Sequence, residues 1–565
     1  MSQRSGRVSV GATEARGTGA VRQVSIKMQL PVLIRRHPEA GLMRNLSTRW
    51  RRASLAALFL LAAAPAAAAI VRTEQGLVRG VRDGNVDVYK AIPFVAPPTG
   101  ALRWREPQPV APWSGVRAAT SFAPACMQTG VSMPGETPPR VSEDCLYLNV
   151  WAPARAAHLP VIVWIYGGGF TNGSASMPLY WGDKFARKGA VVVTLAYRLG
   201  PFGFLAHPEL TAESAHRFSG NYAFLDQIAA LKWVQKNIAA FGGDPTRVTI
   251  AGQSAGAASV SILMASPLAA GLFQRAIGES GGMFEPMQLA PNYQLASAEH
   301  EGEDYAASVG AHSLEELRAL PADALLKGKA GAISHPVIEP YVLPQSPYDA
   351  FVAGKQNDVP ILVGSNADEA RSLIAHLDSV KASSFAADIA KAWGPLPPQL
   401  LAAYPYVTDE DAKKARLAFE RDLRFGWDDW AWARLEAGHN SVWYYHFAHT
   451  PPFPKGSVYE GWGPSHFSEL WYSFDHLDQE RWAWTAADRK LADAMSTYWV
   501  NFAATGNPNG EGLAEWPQFT TSTPRILILD DPVSQGDVAN LKSLQVFDAV
   551  YDQVRGAKFG EAPGK

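Results

Sequence analysis

Arg247-Val248-Thr249-Ile250-Ala251 runs directly into Gly252-Gln253-Ser254-Ala255-Gly256, and Ala257-Ala258-Ser259-Val260-Ser261-Ile262-Leu263 follows. The first stretch reads as a buried strand and the last continues as a helix, which puts Ser254 at the sharp turn between them. The two glycines leave no side chain beside a residue held in a strained backbone conformation. In such a turn the serine Oγ projects above the sheet, and the next N–H faces the same space. Glycine and serine are common, so it is the strand-turn-helix context that makes Ser254 a candidate nucleophile.

Upstream, Pro160-Val161-Ile162-Val163-Trp164-Ile165-Tyr166 is a second apolar strand, and it ends in Gly167-Gly168-Gly169-Phe170. Attack on a carbonyl develops negative charge on its oxygen, which backbone N–H groups stabilise best where no side chain blocks them. Gly168 and Gly169, with Ala255, are the candidate donors, each such donor being worth ~3–4 kcal/mol of barrier. No Lys-Ser/Thr pair follows the glycines, which argues against a phosphate-cradling loop.

With both motifs in hand, the chain resembles the type-B carboxylesterases, the family that also contains the cholinesterases, from about Ile70 to about Val550. Ala91-Ile92-Pro93-Phe94, Pro97-Pro98 and Leu102-Arg103-Trp104 are similar to the family's amino-terminal pattern, and Glu143-Asp144-Cys145-Leu146-Tyr147-Leu148-Asn149-Val150-Trp151 to its second signature. Tyr197 to Leu205, Gly220-Asn221-Tyr222 and Phe241-Gly242-Gly243-Asp244-Pro245 also fit. Tyr166 stands where many esterases of the family carry His. The resemblance implies an α/β-hydrolase fold: a large, mostly parallel central sheet with helices on both faces and helical insertions over an active-site gorge. The alternation of strand and helix patterns from about Pro160 to Pro360 independently argues for one doubly wound sheet.

A serine hydroxyl needs a base, and the base needs an orienting acid. In this fold the chain order is Ser, acid, His. The strand Pro360-Ile361-Leu362-Val363-Gly364-Ser365-Asn366 leads to Asp368-Glu369. The resemblance implies Glu369 as the acid, with Asp368 as the alternative; Ala370 stands where the family has Gly. Gly463-Pro464-Ser465-His466-Phe467-Ser468-Glu469-Leu470 resembles the family's histidine loop and implies His466 as the base. His446 and His449 compete by position but sit in a strand-like run. His466-x-x-Glu469 is half a metal pair with no second His or Cys cluster, so neither a metal nor a cofactor is expected.

The chain has 565 residues, 47% of them hydrophobic, enough for a large core. Its first 69 residues differ from the rest. Basic residues run from Met43 to Arg52, Ala53 to Ala64 is apolar, and Ala67-Ala68-Ala69 follows, which reads as a signal peptide cleaved before Ile70. Residues 1–42 then form a misassigned extension, 43–69 the leader, and 70–565 a single domain. The apolar run is shorter than the ~20 residues of a spanning helix, so no stable membrane anchor is expected. The first 69 residues hold eleven Lys/Arg against Glu14 and Glu39, so their removal takes the net charge from −2 to −11. An acidic surface without a basic, aromatic-laced patch excludes nucleic acid as a partner. For an exported chain, periplasmic or extracellular, the resemblance implies a disulfide between Cys126 and Cys145.

Departures from the cholinesterases bear on the substrate. Between Cys126 and Cys145 there is no Trp; Gln253 is neutral where those enzymes carry Glu; Ser372-Leu373 stand where they have two Phe. Each change weakens a quaternary-ammonium site, so choline esters are excluded. Phe170, Gln253, Met287, Leu373 and Trp462 are the candidate pocket residues. The resulting expectation is an exported serine esterase acting on a small-molecule ester through Ser254, His466 and Glu369. A specialised carbamate, amide or large polyester-type toxin ester is the alternative substrate. A non-catalytic adhesion protein on the same fold is the alternative from another class.

Overall fold

The computed structural model describes residues 67–562 apart from 132, 134, 135, 137, 138, 329–332 and 395. The expected extension and leader therefore lie outside the described residues, except that Ala67–Ala69 open the first strand.

Fifteen strands follow in chain order: β1 (Ala67–Arg72), β2 (Leu77–Asp83), β3 (Val86–Pro93), β4 (Val116–Ala118), β5 (Ala125–Cys126), β6 (Val141–Ser142), β7 (Tyr147–Pro153), β8 (Leu159–Ile165), β9 (Val191–Leu195), β10 (Gly243–Gln253), β11 (Arg275–Glu279), β12 (Ile361–Asn366), β13 (Val442–Phe447), β14 (Arg525–Leu529) and β15 (Ser534–Asp537). Thirteen make one sheet in the order β1-β2-β3-β7-β9-β8-β10-β11-β12-β13-β14-β15, with β4 beside β2; β5 and β6 pair separately. From β9 across to β14 every pairing is parallel. The margins are antiparallel, β7 against β9 on one side and β15 against β14 on the other.

The sequence explains the burial. Val191-Val192-Val193-Thr194-Leu195 and Ile361 to Asn366 are buried at every position, as parallel strands covered on both faces must be. These β-branched runs fit the pleat and exclude water from both sides. The chain thus has the α/β-hydrolase architecture. No helix among the described residues is long and apolar enough to cross a membrane.

At the carboxyl edge of the parallel block, three strand ends converge. β8 runs into the glycine loop, β10 into Ser254, and β12 into Glu369. This is the edge where open α/β sheets place their ligands. Cys126 and Cys145 are joined by a disulfide, closing the loop that carries β5 and β6.

Candidate active site

β10 ends at Gln253 and helix α1 (Ala255–Ala265) begins one residue later. Ser254 between them has φ +57° and ψ −126°, a conformation ordinary residues avoid. Two hydrogen bonds hold it there: Ser254 N–H donates to the Glu279 carbonyl (2.9 Å), and its own carbonyl accepts from Ala258 N–H (2.9 Å). The flanking glycines are required by close approach. A Cβ at Gly252 would lie 2.5 Å from the Gly256 carbonyl carbon, and one at Gly256 would lie 2.0 Å from the Ile165 carbonyl oxygen.

The glycine loop lies against this turn. A Cβ on Gly167 would meet Ser254 Cβ at 2.8 Å, so the first glycine lets the loop approach the serine. Gly168 (φ +116°) and Gly169 (φ +60°) continue in backbone conformations that favour glycine, and both line the cavity that Ser254 faces. Ala255 is buried beside them. Tyr166 turns inward instead: its ring stacks on Tyr197 at 4.5 Å, and its hydroxyl donates to the Tyr197 carbonyl.

Glu369 opens the turn after β12 and is fully buried. Its Oε1 accepts the Asn366 N–H (2.7 Å) and its Oε2 lies 2.6 Å from His466 Nδ1. That contact fixes the neutral imidazole with its proton on Nδ1 and its lone pair on Nε2. The histidine loop is tied to the same strand end, where Asn366 Nδ2 donates to the Ser465 carbonyl (2.9 Å) and to the Glu469 carboxylate. Asp368 faces Gly463 and makes no hydrogen bond to His466. His446 is half-buried in β13, where desolvation lowers its pKa to about 4. His449 lies between Asp488 (2.9 Å) and Asp530 (3.0 Å). Neither of these histidines lines the Ser254 cavity.

Two groups clasp the His466 ring. Phe425 stacks on it at 4.3 Å with 12° between the planes. Gln253 Nε2 lies 3.3 Å from Nε2 and 3.5 Å from Nδ1. Phe425 comes from a single π-helical turn, Asp422–Gly426, inserted between helices α2 (Asp409–Arg421) and α3 (Trp427–Glu436); such insertions gather at functional sites. Ser254 and His466 face the same cavity, with no hydrogen bond joining Oγ to the ring. Behind them lie further buried carboxyls. Burial, and then the charge of Glu369, pushes Glu469 and Asp429 well above the carboxylate range. Burial raises Glu279 to about 7.

The cavity has a volume of about 750 Å³. Of the five candidate pocket residues, Leu373 lines it. Gln253 is fully buried behind the imidazole. Phe170, at φ +59°, packs into the core against Phe204 and Phe224. Trp462 packs edge-on against Tyr459 in a separate aromatic cluster. Met287 is half-buried outside the lining, and Leu289, two residues on in the same short turn, takes that place. Among the lining residues that the sequence reading did not single out are Glu285, Tyr293, Arg424 and Asp428.

A sequence model of the Carboxylesterase family matches residues 67–546. The chain belongs to the carboxylesterase family. It is therefore a carboxylic ester hydrolase. It is 38% identical over 471 residues to a fumonisin B1 esterase of Sphingopyxis macrogoltabida, covering 79% of this chain and 84% of that one. It is 36% identical over 504 residues to the para-nitrobenzyl esterase of Bacillus subtilis (strain 168), covering 85% and 98%. Among solved structures, a PNB esterase superposes with a TM-score of 0.73 at 34% identity, covering 85% of this chain and 99% of that one. A thermophilic PNB esterase gives a TM-score of 0.75 at 33% identity with the same coverage.

Proposed function

We propose that this carboxylesterase works through an acyl-enzyme on Ser254. His466, oriented by Glu369, takes the Ser254 proton as Oγ attacks the ester carbonyl. The N–H groups of Gly168, Gly169 and Ala255 receive the developing oxyanion. The alcohol leaves with the proton held by His466, and a water activated by the same base then releases the acid. The observation that carries this reading is the convergence of Ser254, the glycine loop and a Glu369-bound His466 on one cavity.

The substrate is a small-molecule ester, and a large ester is the second reading. The 750 Å³ volume supports it, as does the 38% identity to a relative named for fumonisin B1. The Cys126–Cys145 disulfide supports export to an oxidising compartment, with 43–69 as the leader.

The test is kcat/KM for the Ile70–Lys565 chain on p-nitrophenyl esters of increasing acyl length, with Ser254→Ala as the comparison. A loss of about a thousandfold or more in the variant on every ester supports the reading. Equal, slow rates for both proteins across the series overturn it.

A further inference from the structure

Two acidic side chains line the Ser254 cavity, and neither forms an ion pair with a described residue. Asp428, in the first turn of α3, is only 7% exposed. Its Oδ1 accepts the Phe284 N–H at 3.0 Å, and no hydrogen bond engages its other oxygen. Glu285, one residue beyond Phe284, is half-buried in the same lining, and its carboxylate makes no ion pair with any described residue; its own backbone N–H is the one hydrogen-bonding group that acts on it. Arg555 is the cation whose charge reaches both acids, and it acts from a distance. Arg555 donates Nη2 to the Phe284 carbonyl and stacks its guanidinium 3.6 Å over the Tyr348 ring, forming an ion pair with neither acid. Arg424, also in the lining, is held by Glu420 at 2.8 Å.

We propose that Glu285 and Asp428 form a subsite for a protonated primary amine carried by the ester substrate. The inference rests on the Ser254 esterase reading and supplies its substrate class. Desolvation raises both carboxyls and the charge of Glu285 raises Asp428 further, while the charge of Arg555 opposes the rise on each. A cation between them reverses that repulsion. An ammonium has three N–H donors for the free oxygens, whereas a quaternary ammonium has none. Tyr293 and Tyr551 line the same part of the cavity and both feel the charge of the two acids, so aromatic faces flank the cation.

The position relative to the nucleophile fixes which part of the substrate carries the amine. A Cβ on Gly282 would lie 3.0 Å from Asp428 Cβ, and one on Gly281 would lie 2.6 Å from the Ser254 carbonyl oxygen. The acid pair is thus one backbone strap away from the serine, in the same cavity, and the amine belongs on a short chain that shares this cavity with the scissile ester.

The first measurement is calorimetric and needs no turnover: n-hexylammonium against 1-hexanol, titrated into the Ile70–Lys565 chain at neutral pH. The amine is expected to bind at least about tenfold more tightly than the alcohol, about 1.4 kcal/mol. That preference should collapse in both Glu285→Gln and Asp428→Asn, the latter keeping an oxygen for the Phe284 N–H. Equal binding of amine and alcohol by the parent, or a preference that survives both substitutions in folded protein, overturns the subsite. The second measurement is the kcat/KM ratio between an ω-aminohexanoyl p-nitrophenyl ester and its isosteric heptanoyl ester, which should fall at least about tenfold in Glu285→Gln. A bound amine with no hydrolysis of either ester would sink the esterase reading and leave the subsite standing.

Discussion

Glu369 Oε2 lies 2.6 Å from His466 Nδ1, while Glu369 Oε1 is held by the Asn366 backbone N–H. The acid is thereby anchored to the end of β12 and fixes the imidazole tautomer that a general base requires. Removing its charge should leave the geometry and remove the orientation. Glu369→Gln is expected to lower kcat by about a thousandfold or more. Asp368→Asn, whose carboxylate does not reach His466, should stay within about threefold. Steady-state kinetics on one p-nitrophenyl ester checks both, and the reverse ranking would reassign the acid.

Gln253 is the second partner of the ring, with its amide 3.3 Å from His466 Nε2. Gln253→Glu would add a buried negative charge there, alongside Glu369 on the other nitrogen and opposite the Phe425 face. An adjacent anion favours the imidazolium, so a higher pH is needed to free the base. The acid limb of the kcat/KM–pH profile should move up by about one unit or more. An unmoved limb would show that residue 253 does not act on the histidine.

Glu279 is buried beside the nucleophile turn, with Trp499 Nε1 donating to Oε1 at 2.8 Å, and desolvation raises its carboxyl to about 7. A carboxyl raised on folding contributes stability that is full below its unfolded pKa. That contribution is lost as pH rises through about 7. The loss amounts to roughly 3 kcal/mol. Glu279→Gln keeps an acceptor for Trp499 and removes the titration. Melting temperatures between mildly acidic and mildly alkaline pH should therefore decline less in the variant than in the parent.

Gly256→Ala places a methyl 2.0 Å from the Ile165 carbonyl and forces β8 away from the start of α1. It should destabilise the fold by about 2 kcal/mol or more and lower ester hydrolysis in what remains folded. Thermal unfolding together with kinetics tests this, and a variant that folds and works like the parent would contradict the close approach.

Much of this site was legible because its chemistry is local in sequence. Ser254 needs a strand, a turn and a helix in succession, and the glycine loop needs a strand end, so each motif announces its element. Glu369 and His466 were readable through resemblance, since 97 residues separate them and no periodicity links them. What surrounds the substrate was not legible. Glu285 and Asp428 come into one cavity through the packing of α3 against the strap after β11. Phe170 and Trp462 are aromatic residues next to functional loops, yet Phe170 packs into the core and Trp462 packs half-buried against Tyr459. Residue type could not distinguish a lining side chain from a buried one.

The most direct measurement is covalent labelling with a fluorophosphonate that mimics the attacked ester, followed by peptide mass mapping and residual-activity assay. The account predicts one label, on the peptide containing Ser254, with activity lost in proportion to labelling and no label in Ser254→Ala. Hydrolysis that persists with Ser254 fully labelled, or a label on a different residue, would contradict it.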